Sequence, residues 1–148
     1  MASWGGFQDA VPELAAFGVE RLNVRPAYLA TVRGSGVPRV HPVTPIVGGG
    51  HLFLFMEPTS PKAADLRARP SYALHSGVPD MHGTGGEFYV SGSADLVEAA
   101  DLRAEAIAAA TYEPADRYIL FELAVHEARC NGYGDVALPA TQRWLDTI

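Results

Sequence analysis

The chain has 148 residues, 48% of them apolar and 19% charged, with a net charge of −6. That length supports one domain with a full core rather than two, and the acidic balance excludes a general nucleic-acid surface while leaving room for a local cationic site. No apolar run approaches the length of a membrane span, the first residues lack the basic and apolar regions of an export signal, and the lone Cys130 cannot form an internal disulfide or a cysteine metal cage, so a reducing cytoplasm is the expected compartment and no metal is expected.

In chain order, residues 1–24 hold an N-terminal helical segment. Val11, Leu14, Phe17 and Leu22 recur at helical spacing, which predicts an amphipathic helix over 9–22, weakened at Gly18. Ala27 to Val32 reads as a strand, Arg33-Gly34-Ser35-Gly36 as a turn, and Val37 to Val47 as a second strand, together a hairpin. Pro42 and Pro45 lie inside that second strand. Proline cannot donate to a ladder, so the strand is bulged, lies at an edge, or turns one side to a ligand. Gly48-Gly49-Gly50 is the next turn and His51 to Met56 the third strand. A helix from Ser60 to about Arg69 stops at Pro70. Ser71 to Ser76 is the fourth strand, 77–86 a loop rich in Gly, Pro, Asp and His, and Glu87 to Val97 the fifth, with Gly92 as a bulge or a close approach. Glu98 to Ala110 is an alanine-rich helix, Tyr118 to Ala128 the sixth strand, and 131–148 an irregular tail that includes Arg143-Trp144. Sequential strands joined by tight turns predict one mainly-β domain over 1–148, a six-stranded antiparallel sheet closing into a small barrel with flanking helices.

The chemistry concentrates in one basic constellation. After the buried third strand comes Glu57-Pro58-Thr59-Ser60-Pro61-Lys62, a tight turn opening a helix. Unpaired N–H groups and the positive dipole end favour an anion there. A hydroxyl at Ser60 and an ammonium at Lys62 make a phosphate seat, or else an ordinary cap followed by a solvated charge. Arg39 lies on the second strand, where alternation puts Arg39, His41 and Val43 on one face and Val40, Pro42 and Thr44 on the other. Strands two and three, joined at Gly48–Gly50, would bring Arg39 towards Ser60 and Lys62, and Arg suits a bidentate phosphate grip. For His41 a ligand contact and a plain barrel-wall position both fit. His75 reads as a core or interface histidine, and His82 and His126 as surface.

The ordered set AYLATVRGSGVPRVHPV, HLFLFMEPTSPKAADLRARP, SYALHS and GEFYVSGSADLV, from Ala27 to about Val97, resembles the pyridoxamine-phosphate oxidase-like, flavin-binding split-barrel superfamily, and the following helix and strand are in the expected order. The resemblance implies a six-stranded split barrel of the FMN-binding type, working as a homodimer with two cofactor sites at the interface. It also implies that Arg39, Ser60 and Lys62 hold the flavin phosphate, and that His41, Pro42, Val43, Thr44, Phe55 and Met56 face the ring and ribityl chain. Glu87 stands near the position of a ring-contacting glutamine in the true oxidases. Two of their cations are replaced here, a lysine by Thr44 and an arginine by Pro61, and their C-terminal substrate-binding segment is not recognisable. The pattern is closer to short actinobacterial-type relatives, some of which use a deazaflavin coenzyme, than to an oxidase of pyridoxamine phosphate. The expected function is FMN-dependent electron or hydride transfer to a small molecule. The alternatives are a deazaflavin-dependent reductase on the same fold and a non-catalytic flavin-binding dimer.

Overall fold

A computed structural model describes residues 1–147; Ile148, the last residue of the predicted tail, lies outside them. Two helices open the chain, α1 (Trp4–Ala10) and α2 (Pro12–Asn23). The expected single helix, weakened at Gly18, needs correction: the break falls at Val11, before Pro12. Proline starts a helix readily but cannot donate to the turn before it. Gly18 stays inside α2 because the helix packs directly on Phe88; a Cβ there would lie 2.6 Å from Phe88 Cζ.

The strands and remaining helices are β1 (Ala27–Val32), β2 (Pro38–Val43), β3 (Ile46–Gly48), β4 (His51–Met56), α3 (Pro61–Ala68), β5 (Ser71–His75), β6 (Glu87–Val97), α4 (Ala100–Ala109), β7 (Ile119–Asn131) and β8 (Gln142–Leu145). All pairings are antiparallel, in the order β2-β1-β5-β6-β7-β4-β3, with β8 added alongside β7. The result is a curled antiparallel sheet with flanking helices, the split barrel that was expected, but built from eight strands rather than six. One extra strand arises because Thr44-Pro45 divides the predicted second strand into β2 and β3. The other is β8, in the segment expected to be irregular. There Trp144 reaches back to Phe7, with ring centroids 5.2 Å apart, and its strand pairs with Glu127 to Cys130.

The division at Thr44-Pro45 changes the neighbourhood of the site. The Gly48–Gly50 turn joins β3 to β4, not β2 to β4. β2 pairs only with β1 and is an edge strand, which is how it tolerates Pro42. Only residues 44 and 45 separate β2 from β3, so the two edges of the curled sheet are linked covalently where a ladder is absent.

Gly92 sits at a register shift, with Ser91 opposite Glu127 and Gly92 opposite Val125, so that His126 is the extra residue on β7. It is also a close approach, since a Cβ on Gly92 would lie 2.0 Å from the Ala124 carbonyl oxygen. The main core gathers Trp4, Phe7, Leu14, Leu29, Leu54, Leu74, Phe88, Phe121 and Leu123 inside the sheet and under α1 and α2. A smaller cluster, Ile46, Phe53, Phe55, Ala106 and Leu120, packs under α4.

Candidate functional site

Six of the ten expected site residues meet in one cleft of about 320 Å³: Pro42, Val43 and Thr44 from the end of β2, Phe55 and Met56 from the end of β4, and Lys62 from the first turn of α3. β4 is buried along nearly its whole length, so its last residues form a rigid floor. Lys62 makes no ion pair or hydrogen bond within the protein among the described residues. Glu57, Tyr112 and Tyr118 complete the wall. They escaped the sequence reading because Tyr112 and Tyr118 lie between α4 and β7, in a segment with no motif of its own. Glu57 accepts from Arg117 Nε at 2.7 Å, and that guanidinium lies over the Tyr118 ring at 5.3 Å.

Ser60 is the N-cap of α3, as its sequence position allowed. Its Oγ accepts from the Ala63 N–H at 3.4 Å and donates to the Glu57 carbonyl at 2.7 Å. The hydroxyl proton is therefore committed to the turn, and what this corner offers an anion is the Lys62 ammonium beside the first-turn dipole.

Arg39 is held by a partner that sequence reasoning missed. Its Nε donates to Asp65 Oδ2 at 2.9 Å, and Thr31 Oγ1 donates to the same oxygen at 2.7 Å. Asp65 is buried, at 5% exposure. Burial by itself pushes its carboxyl up, but the Thr31 and Arg39 hydrogen bonds outweigh this and hold it below the usual carboxylate range. Arg39 thus has one edge fixed to α3, with its Nη atoms unpaired among the described residues. An acidic residue one turn into an exposed-looking helix carries no sequence mark of burial.

His41 lies between these cations. Burial first, then Lys62, Arg39 and Arg33, lower its pKa, with Asp65 opposing, so the ring is neutral at pH 7. Its Nε2 is buried with no partner. A buried nitrogen without a hydrogen bond, ringed by positive charge, suits an anion or an anion-bearing ligand. Of the expected phosphate contacts only Lys62 lines the cleft, with apolar walls at Pro42, Val43, Phe55 and Met56 that fit a ring; Arg39, His41 and Ser60 are outside its lining.

Glu87 is not in this cleft. It lines a second one of about 230 Å³, with His75, Tyr89, Glu127 and Arg129. His75 Nε2 lies 2.9 Å from Glu87 Oε2 and His75 Nδ1 lies 2.6 Å from the Ser76 carbonyl. Cross-strand pairing runs Pro42, Tyr28, His75, Tyr89, Arg129, so Tyr28, 49% exposed, stands on the same row between the two clefts. His82 and His126 are exposed, as expected. Among the described residues no three metal-ligating side chains cluster, and no helix is long and apolar enough to cross a membrane.

Residues 12–131 match the family model described as pyridoxamine 5'-phosphate oxidase. The chain belongs to that family. A search of curated proteins finds no match. Among solved structures it is similar to a NimC/NimA family protein from Clostridium acetobutylicum, at TM-score 0.69 and 14% identity over 93% of this chain and 96% of that one. It is similar too to a conserved hypothetical protein from Mycobacterium tuberculosis, at TM-score 0.67 and 20% identity over 86% and 89%. A heme binding protein from Mycobacterium smegmatis aligns at TM-score 0.66 and 19% identity, covering 87% of this chain but only 57% of that one. At these identities the likeness is one of fold.

Proposed function

We propose that the protein is an FMN-binding oxidoreductase that passes electrons or hydride to a small molecule, and that it works as a homodimer. The observation that carries this is the cleft at Lys62, where an ammonium without a protein partner at the first turn of α3 stands beside the apolar walls of Pro42, Val43, Phe55 and Met56. Lys62 and the outer nitrogens of Arg39 would hold the phosphate, Asp65 fixing the angle of the guanidinium. Pro42, Val43, Phe55 and Met56 would exclude water from the ring. FMN, when bound, supplies the redox chemistry. No side chain in the cleft is assigned as an acid or base.

Three features support the dimer. β2 is an unpaired edge; Tyr28 and Val40 are 49% and 62% exposed on the outer face of β1 and β2; and Glu87, expected near the ring, lies in a separate cleft on the same sheet face. A second copy covering Tyr28 and Val40 would let Glu87 of one subunit complete the cleft of the other.

The test is titration of the apoprotein with FMN, a deazaflavin coenzyme and hemin in parallel. Saturable micromolar or tighter FMN binding is expected. Binding of the deazaflavin alone would transfer the chain to the reductase alternative. Binding of hemin alone, the ligand for which the M. smegmatis protein is named, would replace the flavin reading.

A further inference from the structure

The cleft at Lys62 has few charges to set against a dianion. Among the described residues that line it, Lys62 is the sole cation and Glu57 the sole carboxylate. That carboxylate is neutralised, since Arg117 Nε donates to its Oε1 at 2.7 Å. The Ser60 proton, at the mouth of α3, is spent on the Glu57 carbonyl. The remaining polar groups of the wall are the hydroxyls of Thr44, Tyr112 and Tyr118, and none of the three makes a hydrogen bond within the protein among the described residues.

Tyr118 is firmly anchored. β4 and β7 pair Met56 with Ile119, so the register continued by one residue sets Tyr118 opposite Glu57. Its amide donates to the Ala115 carbonyl at 3.0 Å, and its own carbonyl accepts from Arg103 Nη1 at 2.8 Å. The ring packs on the cluster that contains Phe55. The Arg117 guanidinium, itself fixed by Glu57, lies 5.3 Å from the ring centre. With backbone and ring both engaged, the hydroxyl is the part of Tyr118 left for the cleft. Tyr112 stands beside it. Burial, then the nearby Tyr118, raises the Tyr112 phenol above its usual pKa, so Tyr112 keeps its proton across the neutral range and is available as a donor.

We infer that Tyr118 and Tyr112 are ligand-binding residues, their two hydroxyls donating to the same phosphomonoester that Lys62 holds. The inference rests on the flavin reading for the identity of that ligand, and it adds two donors which that reading does not name. A phosphomonoester carries three strong acceptor oxygens, and one ammonium approaching from one wall leaves some of them unmet. An O–H donating to an ionised oxygen forms the shorter and stronger kind of hydrogen bond. A tyrosine has only two side-chain torsions to fix, so a ring already held loses little freedom when its hydroxyl binds.

The probes are FMN and riboflavin, which differ only by the phosphate, titrated into the apoprotein and followed by flavin fluorescence. Tyr118→Phe is expected to weaken FMN binding roughly tenfold, the lower end for a charged hydrogen bond, and Tyr112→Phe severalfold. Riboflavin affinity should stay at its wild-type value in both variants. Phenylalanine keeps the ring and its packing, so the fold is preserved. FMN affinity unchanged in both variants would overturn the inference. So would a loss shared equally by riboflavin, which would put the hydroxyls against the ring instead. If neither flavin binds the wild-type protein, the flavin reading falls, and inorganic phosphate alone decides the rest. Amide shifts at Lys62 and Ala63 that saturate in wild type and need more phosphate in Tyr118→Phe would keep the two phenols as anion donors. Shifts alike in the two proteins, or absent from both, would remove them.

Discussion

Lys62, Asp65 and His41 carry different parts of one small electrostatic problem. Lys62 is the cation with nothing to hold; Lys62→Ala is expected to weaken FMN binding by about 1.5–3 kcal/mol, the worth of a charged hydrogen bond, read as a rise of roughly 10- to 100-fold in Kd by flavin fluorescence. Unchanged affinity would remove the phosphate from this corner. Asp65 commits its charge to Thr31 and Arg39. Its folded pKa lies below the unfolded value, so its contribution to stability is complete above the ordinary carboxylate range and is lost as pH falls through the lower, folded value. Asp65→Asn should cost about 1–3 kcal/mol at pH 7 and flatten the acid limb of a denaturation series; an unchanged acid limb would assign that limb to other carboxylates. His41 has the same sign of linkage to folding, since its folded pKa too lies below the ordinary value. Its pKa is lowered, and an anion seated among Lys62, Arg39 and His41 favours the charged ring, so phosphate or FMN should raise it. Histidine proton resonances followed across pH 5–8 check this, and a pKa that falls or stays put would place the anion elsewhere. At this scale the residue types were legible: Arg39, Ser60 and Lys62 stand out in an acidic chain. Their commitments were not, because Ser60 giving its proton to Glu57 and Arg39 leaning on a buried Asp65 both depend on contacts that no local pattern encodes.

Among the elements, those with strong periodicity came out close to expectation. β1, β4 and β6 begin and end where alternation and turn residues put them, and α3 differs from its predicted span by a residue at each end. The departures share a cause, which is that a partner far away in the chain decides them. α1 forms because Trp4 and Phe7 are fully buried against Phe88 and Trp144. β8, four residues long, exists because β7 overhangs β4 and leaves Glu127 to Cys130 without a neighbour on that side. If β8 is held by this packing, Trp144→Ala should lower stability by roughly 1–3 kcal/mol, less than for a fully buried tryptophan, and expose the amides of residues 127–130 to exchange. Retention of slow exchange there would mean that β8 stays docked without its aromatic.

For the whole molecule, the alternating strands and tight turns made an antiparallel sheet legible, and the way it closes was not. Only two residues, Thr44 and Pro45, carry the chain from one edge of the sheet to the other, and Thr44 lines both the cleft of the proposed site and an adjoining groove. A dimer through the outer face of β1 and β2 makes a prediction at the same scale. Val40→Asp, at a position 62% exposed, should leave the fold intact by circular dichroism, shift sedimentation from dimer to monomer, and weaken FMN binding in parallel. A wild-type protein that sediments as a monomer would exclude the shared site.

The extra residue at His126 acts as a change of phase. Before it, the odd-numbered residues Phe121, Leu123 and Val125 point into the main core; after it, the even-numbered Ala128 and Cys130 do. Were these same residues, His126 included, to run on in unbroken alternation, the odd-numbered ones would stay inward to the end, driving Glu127 and Arg129 into the apolar interior and turning Ala128 and Cys130 outward. One unpaired position thus sorts the second half of β7, keeping the core dry and delivering two charged side chains to the cleft that holds Glu87. Deleting His126 would close the bulge and, in the regular strand that results, still leave Glu127 and Arg129 outward and Ala128 and Cys130 inward.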